Sequence, residues 1–197
     1  MAPFVQLQTD TEGNTSPCAV LDGIWKNKQD PWQHDELEDM RYKHANNIKD
    51  SRCDTCWKKE EQGFESYRQR FNSNHRFNVQ QALLSVEDGS YKHGPKILYL
   101  KNGNVCNLQC RICGPKDSFA WSRGAKHYEQ EHANEMAGTM FDIGNYKKNW
   151  TPKQLENLMR YNHTILRVDN FGGEALTNPK VLEYLNMLVE QGVAKHI

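Results

Sequence analysis

Val105-Cys106-Asn107-Leu108-Gln109-Cys110-Arg111-Ile112-Cys113-Gly114-Pro115 decides how the rest of the chain is read. It sets cysteines at 106, 110 and 113, a C-x3-C-x2-C spacing. Three thiolates this close in sequence can converge on one soft metal centre. A fourth would close the coordination of a [4Fe–4S] cube, whereas three leave one iron for a ligand that is not protein. The same positions follow i, i+4, i+7, so on a buried helix they would be three small hydrophobes on one face. Gly103 before the stretch and Gly114-Pro115 after it favour a loop. A zinc site, with a fourth ligand from His127 or another cysteine, is a further reading of the same thiols.

The loop resembles the cluster loop of the radical S-adenosylmethionine (SAM) superfamily, with Ile112 standing where that family usually has an aromatic residue. Downstream, Phe171-Gly172-Gly173-Glu174 resembles the family's GGE motif, which ends the second strand and holds the amino group of SAM. Both motifs, in this order and about one βα unit apart, are more specific than either alone. The wider sequence is similar to twitch- or SPASM-type members that place accessory cysteines before the barrel. The matching stretches are Gly13-Asn14-Thr15-Ser16-Pro17-Cys18, Gly23-Ile24-Trp25-Lys26-Asn27 and Cys53-Asp54-Thr55-Cys56, followed by Glu60-Glu61-Gln62-Gly63 and Ser66-Tyr67-Arg68.

The resemblance implies an enzyme. Cys106, Cys110 and Cys113 would hold a [4Fe–4S] cluster, and Gly172, Gly173 and Glu174 would position SAM. The reduced cluster would cleave SAM to a 5′-deoxyadenosyl radical that abstracts hydrogen from a substrate. Members with auxiliary clusters tend to modify peptides, and a flavodoxin- or ferredoxin-like protein would supply the electron. Cys18, Cys53 and Cys56 would be an auxiliary metal group, an Fe–S cluster or zinc, lacking a fourth cysteine. The competing classes are a zinc-binding scaffold protein and an inactive, cluster-binding fragment of such an enzyme.

Composition sets outer bounds. The chain has 197 residues, with Lys+Arg and Asp+Glu equal at 25 each. That balance predicts no specific nucleic-acid or membrane surface. Mean hydropathy is −0.88, low for a fully packed domain, and there is no apolar run of about 18 residues to span a bilayer. No basic stretch followed by an apolar core opens the chain, so no signal peptide is expected. The 6 cysteines in close groups then point to a reducing cytoplasm and to metal rather than disulfides.

The expected fold is α/β: the first two to three βα units of a radical SAM (β/α) barrel over 96–197, and hence a truncated barrel. A linker over 72–95 joins it to a small α+β, twitch-like region over 1–71. Alternation predicts a strand from Phe4 to Thr9, and a return strand near Thr15 to Val20 carrying Cys18. Trp25 and Trp32 read as core anchors. Asp35 to Ile48 reads as a helix, with His44 on its apolar face a core histidine rather than a ligand. Cys56 is expected at the start of a charged helix running to Phe71, where a helix N-terminus favours thiolate. Lys96 to Leu100 is a strand leading into the cysteine loop, the usual place for an α/β active site. A helix from Lys116 to Met136, an irregular insert over Ala137 to Trp150, and a capping box at Thr151 to Gln154 follow. Ile165 to Phe171 is the second parallel strand. Asn178 caps a helix with Val181, Leu182, Leu185 and Leu188 inward. Gly192 ends it, and Val193 to Ile197 begins a third strand.

Overall fold

The computed structural model describes residues 2–11, 13–21, 25–26, 30–74, 91–101, 103–115, 117–121 and 150–197. Outside them lie Gly23, Ile24 and Asn27 of the accessory motif, His127, most of the expected linker, and most of the expected helix and insert between 116 and 150.

The strands form one sheet. β1 (Gln6–Thr9), β2 (Thr15–Ser16), β3 (Ile97–Lys101) and β4 (Arg167–Phe171) lie in the order β2-β1-β3-β4. At the entrance to β3, the Lys96 amide donates to the Val5 carbonyl at 2.8 Å, and the Leu166 amide donates to the Lys96 carbonyl at 2.9 Å. At its exit the Lys101 amide donates to Thr9 Oγ1 at 3.0 Å. Starts meet starts, so β1, β3 and β4 run in one direction. β2 follows β1 after a short turn, too short for a parallel crossover, so the sheet is mixed. Ile97, Leu98 and Leu100 are all fully buried, the pattern of a strand covered on both faces.

Several expectations are corrected. Phe4 and Val5 close a short helix, α1 (Ala2–Val5), instead of opening β1. The Arg41 Nε donates to the Pro3 carbonyl at 2.9 Å and holds that turn. Gln6, expected to face solvent, is fully buried. The return strand covers only Thr15–Ser16, leaving Cys18 in the loop after it. The charged helix after Cys53 is two helices, α3 (Asp54–Glu61) and α4 (Tyr67–Asn74). A Schellman end breaks them: the Gly63 amide donates to Glu60 O, the Phe64 amide to Lys59 O, and Gly63 sits at φ +79.

By its contacts the chain divides into two units, 1–8 with 14–98 and 163–167, and 9–13 with 99–162 and 168–197. The first is built on α2 (Asp35–Ala45). Leu37 and Met40 are buried there as expected, and so are Trp25 and Trp32. Its core also takes in a whole arginine. The Arg41 guanidinium lies 4.4 Å from the Trp32 ring centre and 5.3 Å from that of Tyr91, where the ring faces replace part of its lost hydration. The Trp32 indole N–H donates to the His93 carbonyl at 2.7 Å.

The second unit holds α5 (Pro152–Met159) and α6 (Pro179–Glu190). α5 begins with the expected reciprocal capping box between Thr151 and Gln154. On α6 the buried face is Val181, Tyr184 and Leu188, while Leu182 is exposed. Tyr184 wins its place because its hydroxyl donates to Asn162 Oδ1 at 2.9 Å. The third strand expected after Gly192 is absent. Val193 is bound into the helix end through Leu188 O, and Ala194–His196 is a 3-10 turn. Among the described residues no helix is long and apolar enough to cross a membrane.

Candidate functional site: a cysteine loop against a Gly-Gly-Glu turn

In the second unit β3 delivers the chain to a loop braced from several sides. The Asn104 side-chain amide donates to the Pro115 carbonyl at 3.0 Å and closes the loop at its base. Ser118 Oγ donates to Leu108 O at 2.6 Å, Gln109 Nε2 to Ala120 O at 2.8 Å, and the Trp121 indole N–H to Cys110 O at 3.2 Å. The Cys113 amide donates to Cys110 O at 3.0 Å, making a tight turn. The stretch is a loop, as its flanking Gly103 and Gly114-Pro115 predict, and not a helix with three inward cysteines.

All three thiols are free, Cys110 exposed and Cys106 and Cys113 half-buried. Burial pushes the Cys113 thiol up, helped by Asp117, Cys110 and Cys106 nearby. Lys101 Nζ pairs with Asp117 at 3.3 Å beside it. Leu108 and Ile112 point into solvent around the thiols.

The second motif meets this loop through the backbone. β4 ends at Phe171, and Gly172 and Gly173 turn the chain at φ +77 and +64. The Gly173 amide donates to Asp117 O at 2.9 Å and the Glu174 amide to Val105 O at 3.1 Å. A Cβ on Gly173 would overlap the Val105 carbonyl oxygen, so only glycine permits the approach. Thus Phe171-Gly172-Gly173-Glu174 abuts the residue immediately before Cys106. The Glu174 carboxylate caps nothing in the 3-10 turn Ala175–Thr177 that follows. By donor type, three free thiols on one loop suit a metal centre that takes a further ligand from a small molecule, while the glycines of the adjoining turn face the Gly103 and Val105 backbone.

In the first unit Cys18, Cys53 and Cys56 line one cavity of about 30 Å³ together with His44, Met40, Arg68 and Asn72. Cys53 is the N-cap residue of α3, and Cys56 lies in its first turn. Burial, then Asp50, Cys18 and Cys56, pushes the Cys53 thiol up to about 12. Burial likewise raises Cys18 to about 11. Arg52 fixes the turn that presents Cys53: it pairs with Asp50, with Asp39 at 2.5 Å, and donates to Glu36 O at 3.0 Å. Arg68 stacks over Trp57 at 4.3 Å and pairs with Glu60.

Reading the sequence did not single out Asn104, Ser118, Asp117 or Trp121 as braces of the cysteine loop. The polar Asn104 just before the loop was the one available signal. Among the described residues no group of three or more His, Cys, Asp or Glu side chains is gathered tightly enough to hold a metal ion in this conformation. No protein-family model matches the chain, and no curated protein or solved structure matches it either.

Proposed function

We propose that the chain is a radical SAM iron–sulfur protein in which Cys106, Cys110 and Cys113 hold a [4Fe–4S] cluster and Gly172, Gly173 and Glu174 hold SAM beside it. The observation that carries the reading is the pair of bonds from the glycine turn, Glu174 to Val105 and Gly173 to Asp117. They bring two motifs some sixty residues apart in sequence to one spot at the carboxyl ends of parallel strands, where α/β proteins place ligands.

When bound, the cluster and SAM supply a 5′-deoxyadenosyl radical able to take hydrogen from a substrate; that chemistry is the cofactors' own. The chain's residues bind and orient. Cys106, Cys110 and Cys113 supply sulfur donors from a loop held by Asn104, Ser118 and Trp121. Gly172 and Gly173 let the turn pack directly onto the loop at Gly103 and Val105, and Glu174 offers an acceptor to an ammonium group. The substrate is open, with a peptide as the first class to try. A flavodoxin- or ferredoxin-like protein is the electron donor to try, and the cytoplasm the compartment. Cys18, Cys53 and Cys56 are the candidate auxiliary metal group.

Anaerobic reconstitution with iron and sulfide tests the loop. A brown protein whose loop iron is lost in Cys110→Ser supports the reading. Iron, sulfide and colour unchanged in that variant overturn it. Stoichiometric zinc without iron or sulfide would instead support the zinc-scaffold alternative.

A further inference from the structure

We infer that His44 is the fourth protein donor of a metal centre formed with Cys18, Cys53 and Cys56, a Cys3His set within the first unit. The inference deepens the reading of those cysteines as an auxiliary metal group, and it does not need the cysteine loop at 106–113 to bind anything.

His44 is prepared for this role by its own helix. Its Nδ1 lies 2.8 Å from the Met40 carbonyl. A carbonyl can only accept, so Nδ1 carries the proton and Nε2 presents its lone pair. A backbone carbonyl behind one imidazole nitrogen is the usual support for a histidine that binds metal through the other. Nε2 faces the Cys53 sulfur at 3.8 Å. A tetrahedral ion bound at ordinary metal–sulfur and metal–nitrogen lengths would hold those two donors roughly 3.6 Å apart. His44, Cys18, Cys53 and Cys56 all line the same cavity.

The surroundings favour occupation. The cavity, about 30 Å³, has room for a water-sized guest but little more. Asn72 also lines it, and its buried side-chain oxygen has no hydrogen-bond partner among the described residues. The four donors do not converge in the present conformation; rotation of cysteine side chains between staggered positions would close them on a guest. A single zinc-type ion suits a cavity of this size once the cysteines have turned toward it. An iron–sulfur centre on the same donors needs its walls to move outward.

The test uses the full chain carrying Cys106→Ala, Cys110→Ala and Cys113→Ala, so that any retained metal belongs to the other group. Metal and sulfide analysis separates the two sources: zinc without sulfide, or iron with sulfide. The expected result is one retained centre, whose resistance to a chelator falls roughly tenfold or more in His44→Gln and is restored in His44→Cys. Cobalt substitution gives a second readout, a tetrahedral thiolate spectrum that shifts in His44→Gln. No retained metal in the loop-cysteine variant overturns the inference. So does a His44→Gln protein, folded by circular dichroism, with unchanged metal affinity and spectrum. Loss of the loop cluster from the wild-type chain while this centre persists would sink the proposed function and leave the inference standing.

Discussion

Gly173 stands so close to Val105 that one added carbon would overlap the Val105 carbonyl oxygen, and the same oxygen accepts the Glu174 amide at 3.1 Å. The turn after β4 and the start of the cysteine loop are therefore one packed joint. Gly173→Ala must both adopt φ +64 with a side chain and push Val105 aside. The left-handed conformation alone costs about 1–2 kcal/mol, and the overlap adds to it. The expected outcome is a loss of at least about 2 kcal/mol in denaturant unfolding, with iron still bound but no spectral response to SAM. A variant with unaltered stability and response would show that the joint does not matter.

The braces of the loop give a milder prediction. Ser118 is buried, and its hydroxyl donates to Leu108 O at 2.6 Å. Ser118→Ala removes that bond and leaves a carbonyl short of its partner, costing about 1 kcal/mol. Release of loop iron to a chelator should speed up by about fivefold, with iron content at the start unchanged. Trp121→Phe, which removes the bond to Cys110 O, should act in the same direction.

Much of this arrangement was legible in the sequence, and the reasons are local. The run Ile97-Leu98-Tyr99-Leu100 reads as a buried strand because neither face carries charge. The Thr151 capping box, the Asn178 cap and the Gly192 stop are written in adjacent residues, and all form as expected. What failed depended on distant partners. Gln6 alternates as a solvent residue but is enclosed. Tyr184 takes a core position because Asn162 waits for its hydroxyl. His44 looks like part of an apolar stripe. It meets Cys53 only because Asn47, at φ +57, ends α2 and reverses the chain, so that the turn fixed by Arg52 comes back beside it. No periodicity encodes which loop carbonyl Ser118 or Trp121 will reach.

That turn carries a pH prediction. Hydrogen bonds from Arg52, then its charge, hold the Asp50 carboxyl below its ordinary 3.8. The ionised form is the one folding favours, so its stabilisation is complete above about pH 4 and is lost as pH falls through the lowered value. Asp50→Asn should cost about 2 kcal/mol at neutral pH. It should also flatten the fall in thermal stability as pH drops below about 4. A variant whose melting temperature tracks the wild type across that range would contradict this account of the turn.

Arg41 offers a test of the first unit's core. Its guanidinium is enclosed between Trp32 and Tyr91 and its Nε holds Pro3. Arg41→Met keeps most of the volume but removes the charge and the bond that holds α1. Arg41→Ala also leaves a cavity. Thermal unfolding should therefore rank the variants wild type, Met, then Ala, with Ala losing about 3 kcal/mol or more. Equal stability of the two variants would show that filling, not the polar reach to Pro3, is irrelevant here.

The most direct measurement is electron paramagnetic resonance of the anaerobically reconstituted, reduced protein before and after SAM is added. The account predicts a reduced [4Fe–4S] signal that changes shape with SAM in the wild type and fails to change in Glu174→Ala. A reduced signal indifferent to SAM in the wild type, or no cluster signal at all, would contradict it.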